Sequence, residues 1–201
     1  MKVGVFGGSF DPIHLGHVRV AEGAMVQLGL NKILFIPAFR PWMKEEPLVA
    51  SAKDRLRMLD LMVGSRDSFE VSPIEIERGG TSYTVDTMEQ LKAKEASDTE
   101  FFLILGMDAA RQINKWRAPA EVLSMSKLVV VPRPGYQDQE EILKGLINTL
   151  GGGEITFLTG TLVDISSTEI RRKIGKGEPI KQWVPPSVEN YINSRDLYGK
   201  E

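Results

Sequence analysis

The sequence predicts an α/β protein: a doubly wound, mainly parallel sheet of five or six strands with helices on both faces. Three observations predict it. Short apolar runs with a β-branched bias alternate along the chain with segments of helical period. Those runs are apolar at consecutive positions, as in strands covered on both faces. The first strand, helix and second strand also follow at the spacing of a βαβ unit with a right-handed crossover.

Each element has its own signal. Val3 to Phe6 reads as the first buried strand, stopped by Gly7-Gly8, whose backbone can take angles other residues avoid, and Asp11-Pro12 is a second turn signal. Leu15, Val18, Ala21, Met25 and Leu28 fall at helical spacing, and Gly29-Leu30-Asn31 ends that helix. Lys32 to Pro37 is a second buried strand. A loop with Pro37, Pro41 and Pro47 follows, carrying Arg40, Trp42 and Lys44. Ser51 is placed to cap a helix reaching Met62, with Leu56, Leu59 and Met62 on one face. Phe69 to Ser72 and Ile74 to Glu77 alternate apolar and polar, which predicts a half-exposed strand near a sheet edge, broken at Pro73. Gly79-Gly80 turns the chain into a helix capped by Ser82 or Thr84 and running to about Lys94.

Phe101 to Gly106 is the clearest buried strand. Trp116 follows a short helical stretch, and Lys127 to Pro132 is another apolar strand. Gln137 to Leu150 reads as a surface helix, Gly151-Gly152-Gly153 as a flexible tip, and Ile155 to Leu158 as a strand. Ser166 and Glu169 have the spacing of a capping box. Trp183 to Tyr198 is a closing helix started at Pro185-Pro186. The chain is expected to form one domain, 1–201, with a C-terminal helical segment from about residue 165 packed on it.

Bulk properties narrow the function. A composition of 42% hydrophobic and 26% charged residues over 201 positions is that of an ordinary globular protein with a sizeable core. A net charge of −2 leaves no global electrostatic footprint for nucleic acid. Cysteine is absent, so no disulfide forms. No run approaches the roughly 18 apolar residues of a membrane span, and Val3 to Phe6 is too short for a signal-peptide core. A cytoplasmic address is expected, with neither nucleic acid nor membrane as partner. No G-x-G-x-x-G follows the first strand and no Walker lysine loop is present, which excludes a standard dinucleotide dehydrogenase and a P-loop NTPase.

The chemistry concentrates in residues 3–17. A strand, a glycine turn and a helix in quick succession place the turn at the carboxyl end of a strand, beside a helix N-terminus. Free N–H groups and the helix dipole receive a phosphate well there. The only two histidines, His14 and His17, lie in this stretch, three residues apart. Each could simply be satisfied by a backbone partner at the helix start. Beside a phosphate cradle, however, they suit phosphoryl or nucleotidyl transfer, where negative charge builds on the moving groups. Zinc ligation would need carboxylates to complete the set, and no resident metal is expected. Asp108, behind Gly106 at a strand end, can cap a short helix, accept from ribose hydroxyls, or do both. Ser166 to Arg171 is at once a capped helix start and a candidate phosphate site, with Arg171 as a forked, permanent charge.

The stretch Gly7-Gly8-Ser9-Phe10-Asp11-Pro12-Ile13-His14-Leu15-Gly16-His17 resembles the signature of the nucleotidyltransferase superfamily with a paired-histidine H-x-G-H motif. Ile165-Ser166-Ser167-Thr168-Glu169-Ile170-Arg171 is similar to that superfamily's late I-S-S-T-x-I-R motif. Arg78 to Thr87 and Leu105 to Ala109 resemble one branch, the bacterial nicotinate-nucleotide adenylyltransferases, and the resemblance spans nearly the whole chain.

It implies a Rossmann-like fold and transfer of an adenylyl group from ATP to nicotinate mononucleotide, giving deamido-NAD and pyrophosphate, with Mg²⁺ carried by ATP. By the same resemblance His14, His17 and Arg171 carry catalysis. ATP is held by Gly7, Gly8, Ser9, Phe10, His14, His17, Gly106, Asp108, Ile165, Ser167, Thr168 and Arg171. The mononucleotide is held by Ser9, Lys44, Tyr83, Thr84, Trp116 and Arg133. The family loop usually reads Pro-Pro-His-Lys; here it is Pro41-Trp42-Met43-Lys44, with Met43 in place of the histidine. Three alternatives stand beside this reading: a pantetheine-phosphate adenylyltransferase, a nicotinamide-preferring enzyme, and a nucleotide-binding module without turnover.

Overall fold

The computed structural model describes residues 1–43, 47–64, 66–132, 139–160 and 165–199. Its sheet contains β1 (Lys2–Gly8), β2 (Lys32–Pro37), β3 (Phe69–Val71), β4 (Glu100–Gly106), β5 (Lys127–Val131) and β6 (Ile155–Phe157). The spatial order is β3-β2-β1-β4-β5-β6, and every neighbouring pair is parallel. This is the Rossmann-like arrangement; among the described residues it has six strands, all parallel. The winding direction reverses between β1 and β4, so the crevice beyond their carboxyl ends is where such sheets receive ligands.

The helices are α1 (Leu15–Leu28), α2 (Ala52–Val63), α3 (Ile74–Arg78), α4 (Thr84–Lys94), α5 (Met107–Ala110), α6 (Pro119–Met125), α7 (Gln139–Thr149), α8 (Ser167–Gly175) and α9 (Pro186–Ser194). The consecutive apolar runs of the strands feed two cores, one on each face. Phe6, Ile33, Phe35, Phe102, Ile104 and Val129 point to the side of α1, α2 and α9. Val3, Val5, Leu34, Ile36, Leu103 and Val130 point to the side of α3, α4 and α6. Period-two alternation of side chains therefore uses every position of a continuous apolar strand. Among the described residues no helix is long and apolar enough to cross a membrane.

Most boundaries follow from local chemistry. Gly29 ends α1 in the left-handed conformation at φ 61°. The Ser51 hydroxyl accepts from the Asp54 N–H and caps α2. Two expectations need correction. Ile74 to Glu77 is not a continuation of the edge strand but the short helix α3. Pro73 sits at its N-cap, and Glu75 turns inward to accept a 2.6 Å hydrogen bond from Thr87 Oγ1. That buried bond exists only because α4 lies alongside, so the local alternation is overridden by tertiary contact. In addition, α4 starts at Thr84 with Tyr83 at its N-cap and no side-chain cap, because the Ser82 hydroxyl instead accepts from the Phe39 N–H at 2.9 Å.

Arg55 of α2 is the largest fully buried side chain, 1% exposed. Its Nη1 donates to the Ser9 carbonyl at 2.9 Å and its Nε to the Ala50 carbonyl at 3.3 Å. The buried Asp11 carboxylate offsets its charge. Replacement by an apolar side chain leaves two carbonyls without their donor and a buried carboxylate without its counter-charge. Arg55→Met is therefore expected to lose about 3 kcal/mol of stability. Urea titration measures this directly, and a loss below about 1 kcal/mol would mean that water takes over the arginine's partners.

Candidate functional site

The site is built on the loop that joins β1 to α1. β1 does not stop at Phe6: Gly7 and Gly8 continue it, paired with Ile36 and Pro37 of β2. Neither glycine has positive φ. What they contribute is the missing Cβ. At Gly8 a Cβ would lie 3.1 Å from the Phe10 ring, and at Gly7 it would enter open space at the edge of a cavity. Phe10 then turns the chain at φ 47° and drops its ring into the core against Phe6, Phe35 and His17.

The rest of the loop is pinned by distant groups. Arg55 holds the Ser9 carbonyl. Asp11, 2% exposed, accepts from the N–H groups of Val49 and Ala50 at 2.8 and 3.0 Å and from the Tyr198 hydroxyl at 2.7 Å. Its carbonyl accepts from Arg171 Nη1 at 2.7 Å, and the Pro12 carbonyl from the Ser167 hydroxyl at 2.8 Å.

A cavity of about 320 Å³ opens on one side of this loop, lined by Ser9, His14, Gly16, His17, Gly106, Ile165 and residues 166–168 and 171. His14 is the N-cap of α1, and His17 stands one turn on. Their rings stack with centroids 3.7 Å apart. His17 Nδ1 accepts from the His14 N–H at 3.2 Å, so the proton of neutral His17 sits on Nε2. His14 Nδ1 is buried with no hydrogen-bond partner among the described residues. Burial pushes the His14 pKa down to about 4; burial and then the neighbouring His14 push His17 well below its ordinary value. Both imidazoles are thus neutral in the free protein near pH 7, and Arg171 is the permanent charge on this wall. Across from them, α8 is capped by Ser166, whose hydroxyl accepts from the Glu169 N–H. The second half of the expected capping box is absent, because Glu169 pairs with Arg172.

A second cavity, about 200 Å³, lies on the other side, lined by Gly7, Gly8, Ser9, Trp42, Met43, Glu75, Ser82, Thr84 and Trp116 among others. Ser9 belongs to both. The Trp116 ring is buried, and its Nε1 has no partner among the described residues. The first turn of α4 opens toward this space through Thr84. Tyr83 stands half-buried beside it, 6.4 Å from the Trp42 ring and with the Arg117 guanidinium 5.0 Å from its own. Burial pushes the Glu75 carboxyl upward, against its bond from Thr87. Planar aromatic walls and a helix start suit a flat ring carrying an acceptor or an anion.

The structure thus gathers Ser9, His14, His17, Gly106, Ile165, Ser167, Thr168 and Arg171 around the first cavity, and Ser9, Thr84 and Trp116 around the second. Gly7 and Gly8 line the second cavity, not the first. Phe10 lines neither; its ring is core, leaving only its backbone near the site. Asp108 is exposed in the first turn of α5, two residues beyond Gly106. Lys44 and Arg133 lie outside the described residues. Sequence reasoning missed Arg55, Glu75 and Tyr198. None of them has a local signal, because the partners Ser9, Thr87 and Asp11 lie 46, 12 and 187 positions away.

A crevice at the switch point of such a sheet, beside a helix N-terminus, is where doubly wound α/β proteins bind nucleotides. The model of the cytidylyltransferase-like family matches residues 5–173. A protein of Thermoanaerobacter sp. (strain X514) named probable nicotinate-nucleotide adenylyltransferase is 39% identical over 204 residues, spanning 100% of this chain and 96% of its own. Its namesake from Dictyoglomus thermophilum is 41% identical over 198 residues, spanning 98% and 100%. Among solved structures, Plasmodium falciparum nicotinic acid mononucleotide adenylyltransferase complexed with NaAD shares the fold, with a TM-score of 0.78 at 20% identity over 98% of this chain and 97% of that one. The chain belongs to the cytidylyltransferase-like family and, within it, to the nicotinate-nucleotide adenylyltransferases.

The depressed histidines set a pH dependence. Unfolded, His14 titrates near 6.5; folded, near 4. Between these values the unfolded chain binds more protons than the native one, so stability rises with pH across the window and is fully present above it. His14 alone contributes roughly 3 kcal/mol of that rise. Urea unfolding at about pH 5 and about pH 7.5 is expected to reveal it, and His14→Asn to make it shallower, with His17 supplying the slope that remains. An equal slope in the variant would assign the dependence to other groups.

Proposed function

We propose that the protein is a cytoplasmic nicotinate-nucleotide adenylyltransferase, a single domain that transfers the adenylyl group of ATP to nicotinate mononucleotide in NAD biosynthesis. The observation that carries this reading is the pair of cavities meeting at Ser9. One has histidines, an arginine and a helix N-terminus for phosphates, and the other has aromatic walls for a flat ring. Relatives 39% and 41% identical over essentially the full chain carry that activity in their names.

The mononucleotide phosphate is already ionised at neutral pH and needs no general base. One of its oxygens forms a bond to the α-phosphorus of ATP. The bond from that phosphorus to the bridging oxygen breaks, and pyrophosphate leaves with the electron pair. No enzyme-bound covalent intermediate is involved. Catalysis is alignment of two anions and stabilisation of the charge that spreads over the transferring group. His14 and His17, neutral when the site is empty, serve as hydrogen-bond donors, and a bound polyphosphate favours their protonation. Arg171 and the first N–H groups of α8 face the same charge. Mg²⁺ enters on the triphosphate and neutralises part of it. Ser9, where the cavities meet, lies beside the point of transfer. On the mononucleotide side, the start of α4 at Tyr83 and Thr84 receives the pyridine carboxylate and Trp116 faces the ring; family likeness assigns Lys44 and Arg133 to mononucleotide binding as well.

The direct test is pyrophosphate release from ATP and Mg²⁺ with nicotinate or nicotinamide mononucleotide supplied separately. The acid is expected to be favoured in kcat/KM by about tenfold or more, about 1.4 kcal/mol of differential binding. Release with neither would return the choice to another acceptor, phosphopantetheine first, or to binding alone. His17→Ala, checked to be folded, is expected to lose roughly 100-fold in kcat. Turnover within a few-fold of wild type would remove His17 from the catalytic set.

A further inference from the structure

We infer that Tyr198, in the turn after α9, is a positioning residue for the transfer reaction, holding the β1–α1 loop in its working shape through its hydroxyl on Asp11. The inference rests on the adenylyl-transfer reading above. Asp11 belongs to the histidine-pair motif, yet it lines neither cavity. Its carboxylate is 2% exposed and faces inward, so it has no access to substrate. All of its described side-chain hydrogen bonds come from groups that stand away from the two cavities: Val49, Ala50 and Tyr198.

The tyrosine bond spans 187 positions of sequence and closes at 2.7 Å inside the protein, with Tyr198 itself 8% exposed. The turn that delivers it is an uncommon one. Asp196 and Tyr198 both have positive φ, 49° and 64°. Non-glycine residues hold such angles only where the surroundings over-determine them. Here the surroundings are the 3.0 Å bond from the Leu197 N–H to the Ile192 carbonyl and the phenol seated on Asp11.

The consequence reaches the chemistry through one residue. Asp11 is gripped from the side-chain end by Tyr198, and from its carbonyl it accepts the Arg171 Nη1 hydrogen bond at 2.7 Å. Ser9 lies two residues before it and His14 three residues after. A shift of Asp11 therefore displaces Arg171, Ser9 and His14 together, and transfer reactions are sensitive to displacements of this kind. Of the ring pocket's lining only Ser9 belongs to this displaced group; its aromatic and helix-start walls, Trp116 and Thr84, make no described hydrogen bond to Asp11. Loss of the hydroxyl should therefore appear in turnover and spare mononucleotide affinity.

Tyr198→Phe removes the hydroxyl and keeps the ring. In the full-length protein, with its melting temperature and circular dichroism checked, kcat for pyrophosphate release is expected to fall about tenfold while KM for nicotinate mononucleotide stays within about twofold. A purely structural tyrosine would lower the melting temperature and leave kcat of the folded enzyme unchanged, and that result overturns the inference. Tyr198→Gly, whose backbone suits a positive φ, is the second variant. Added p-cresol is expected to restore turnover and toluene not, and equal restoration by both also overturns it. Wild-type protein that releases no pyrophosphate overturns the adenylyl-transfer reading and this inference together. Wild-type turnover beside an unimpaired, folded Tyr198→Phe overturns this inference alone.

Discussion

Everything in the site depends on the pinning of four residues, Ser9 to Pro12, between β1 and α1. Irregular backbone at a buried position is unstable unless its polar groups find partners. Here the partners are supplied from α2, α8, the segment before α2 and the chain's last turn: Arg55 on the Ser9 carbonyl, Val49, Ala50 and Tyr198 on the Asp11 carboxylate, Arg171 on the Asp11 carbonyl, Ser167 on the Pro12 carbonyl. Phe10 adds an apolar anchor below. The loop is thus fixed by elements lying 38 to 187 residues away in sequence. His14 stands directly after this pinned stretch, as the N-cap of α1.

The electrostatics of the first cavity follow from the same packing. Two imidazoles stacked at 3.7 Å and shielded from water cannot both be cations in an empty site. Among the described residues the site therefore waits with one guanidinium and two neutral donor rings rather than with three positive charges. This lowers the repulsion the fold must tolerate and leaves the histidines free to become charged where a polyanion compensates them. A surface pair of histidines would stay half-charged and solvated, and would lose most of that contrast between the empty and the occupied site.

The architecture was largely legible in the sequence because the strands are apolar without interruption and the helices are periodic. Caps at Gly29, Ser51 and Ser166 were legible because capping is a local hydrogen bond between residues three or four apart. Glu75 was misread for the opposite reason: its alternating neighbours look like a strand until α4 supplies Thr87. Arg55 and Tyr198 carry no local signature, since a lone arginine in an amphipathic helix and a lone tyrosine near a chain end look like surface residues. The two histidines stood out as the only ones in the chain, and Arg171 and Trp116 by family likeness; all four line the cavities, but neither signal said why Asp11 belongs to the motif.

Gly7-Gly8 shows how the two cavities depend on each other. Both glycines were expected to serve an unusual turn; instead they extend β1 and leave room. A side chain at Gly8 would press on the Phe10 ring, which supports the loop from beneath, and one at Gly7 would project into the space beside the ring pocket. The absence of two Cβ atoms therefore lets the aromatic cavity come up to the backbone at Gly7 and Gly8, and the phosphate-type cavity meets it one residue further on, at Ser9. Ser9 is where they meet because it is the first residue beyond the strand, at the switch point, with its carbonyl fixed by Arg55. A reaction that joins two phosphates needs two sites separated by no more than one backbone thickness, and a rigid loop with no side chains in the way is the means by which this sheet provides it.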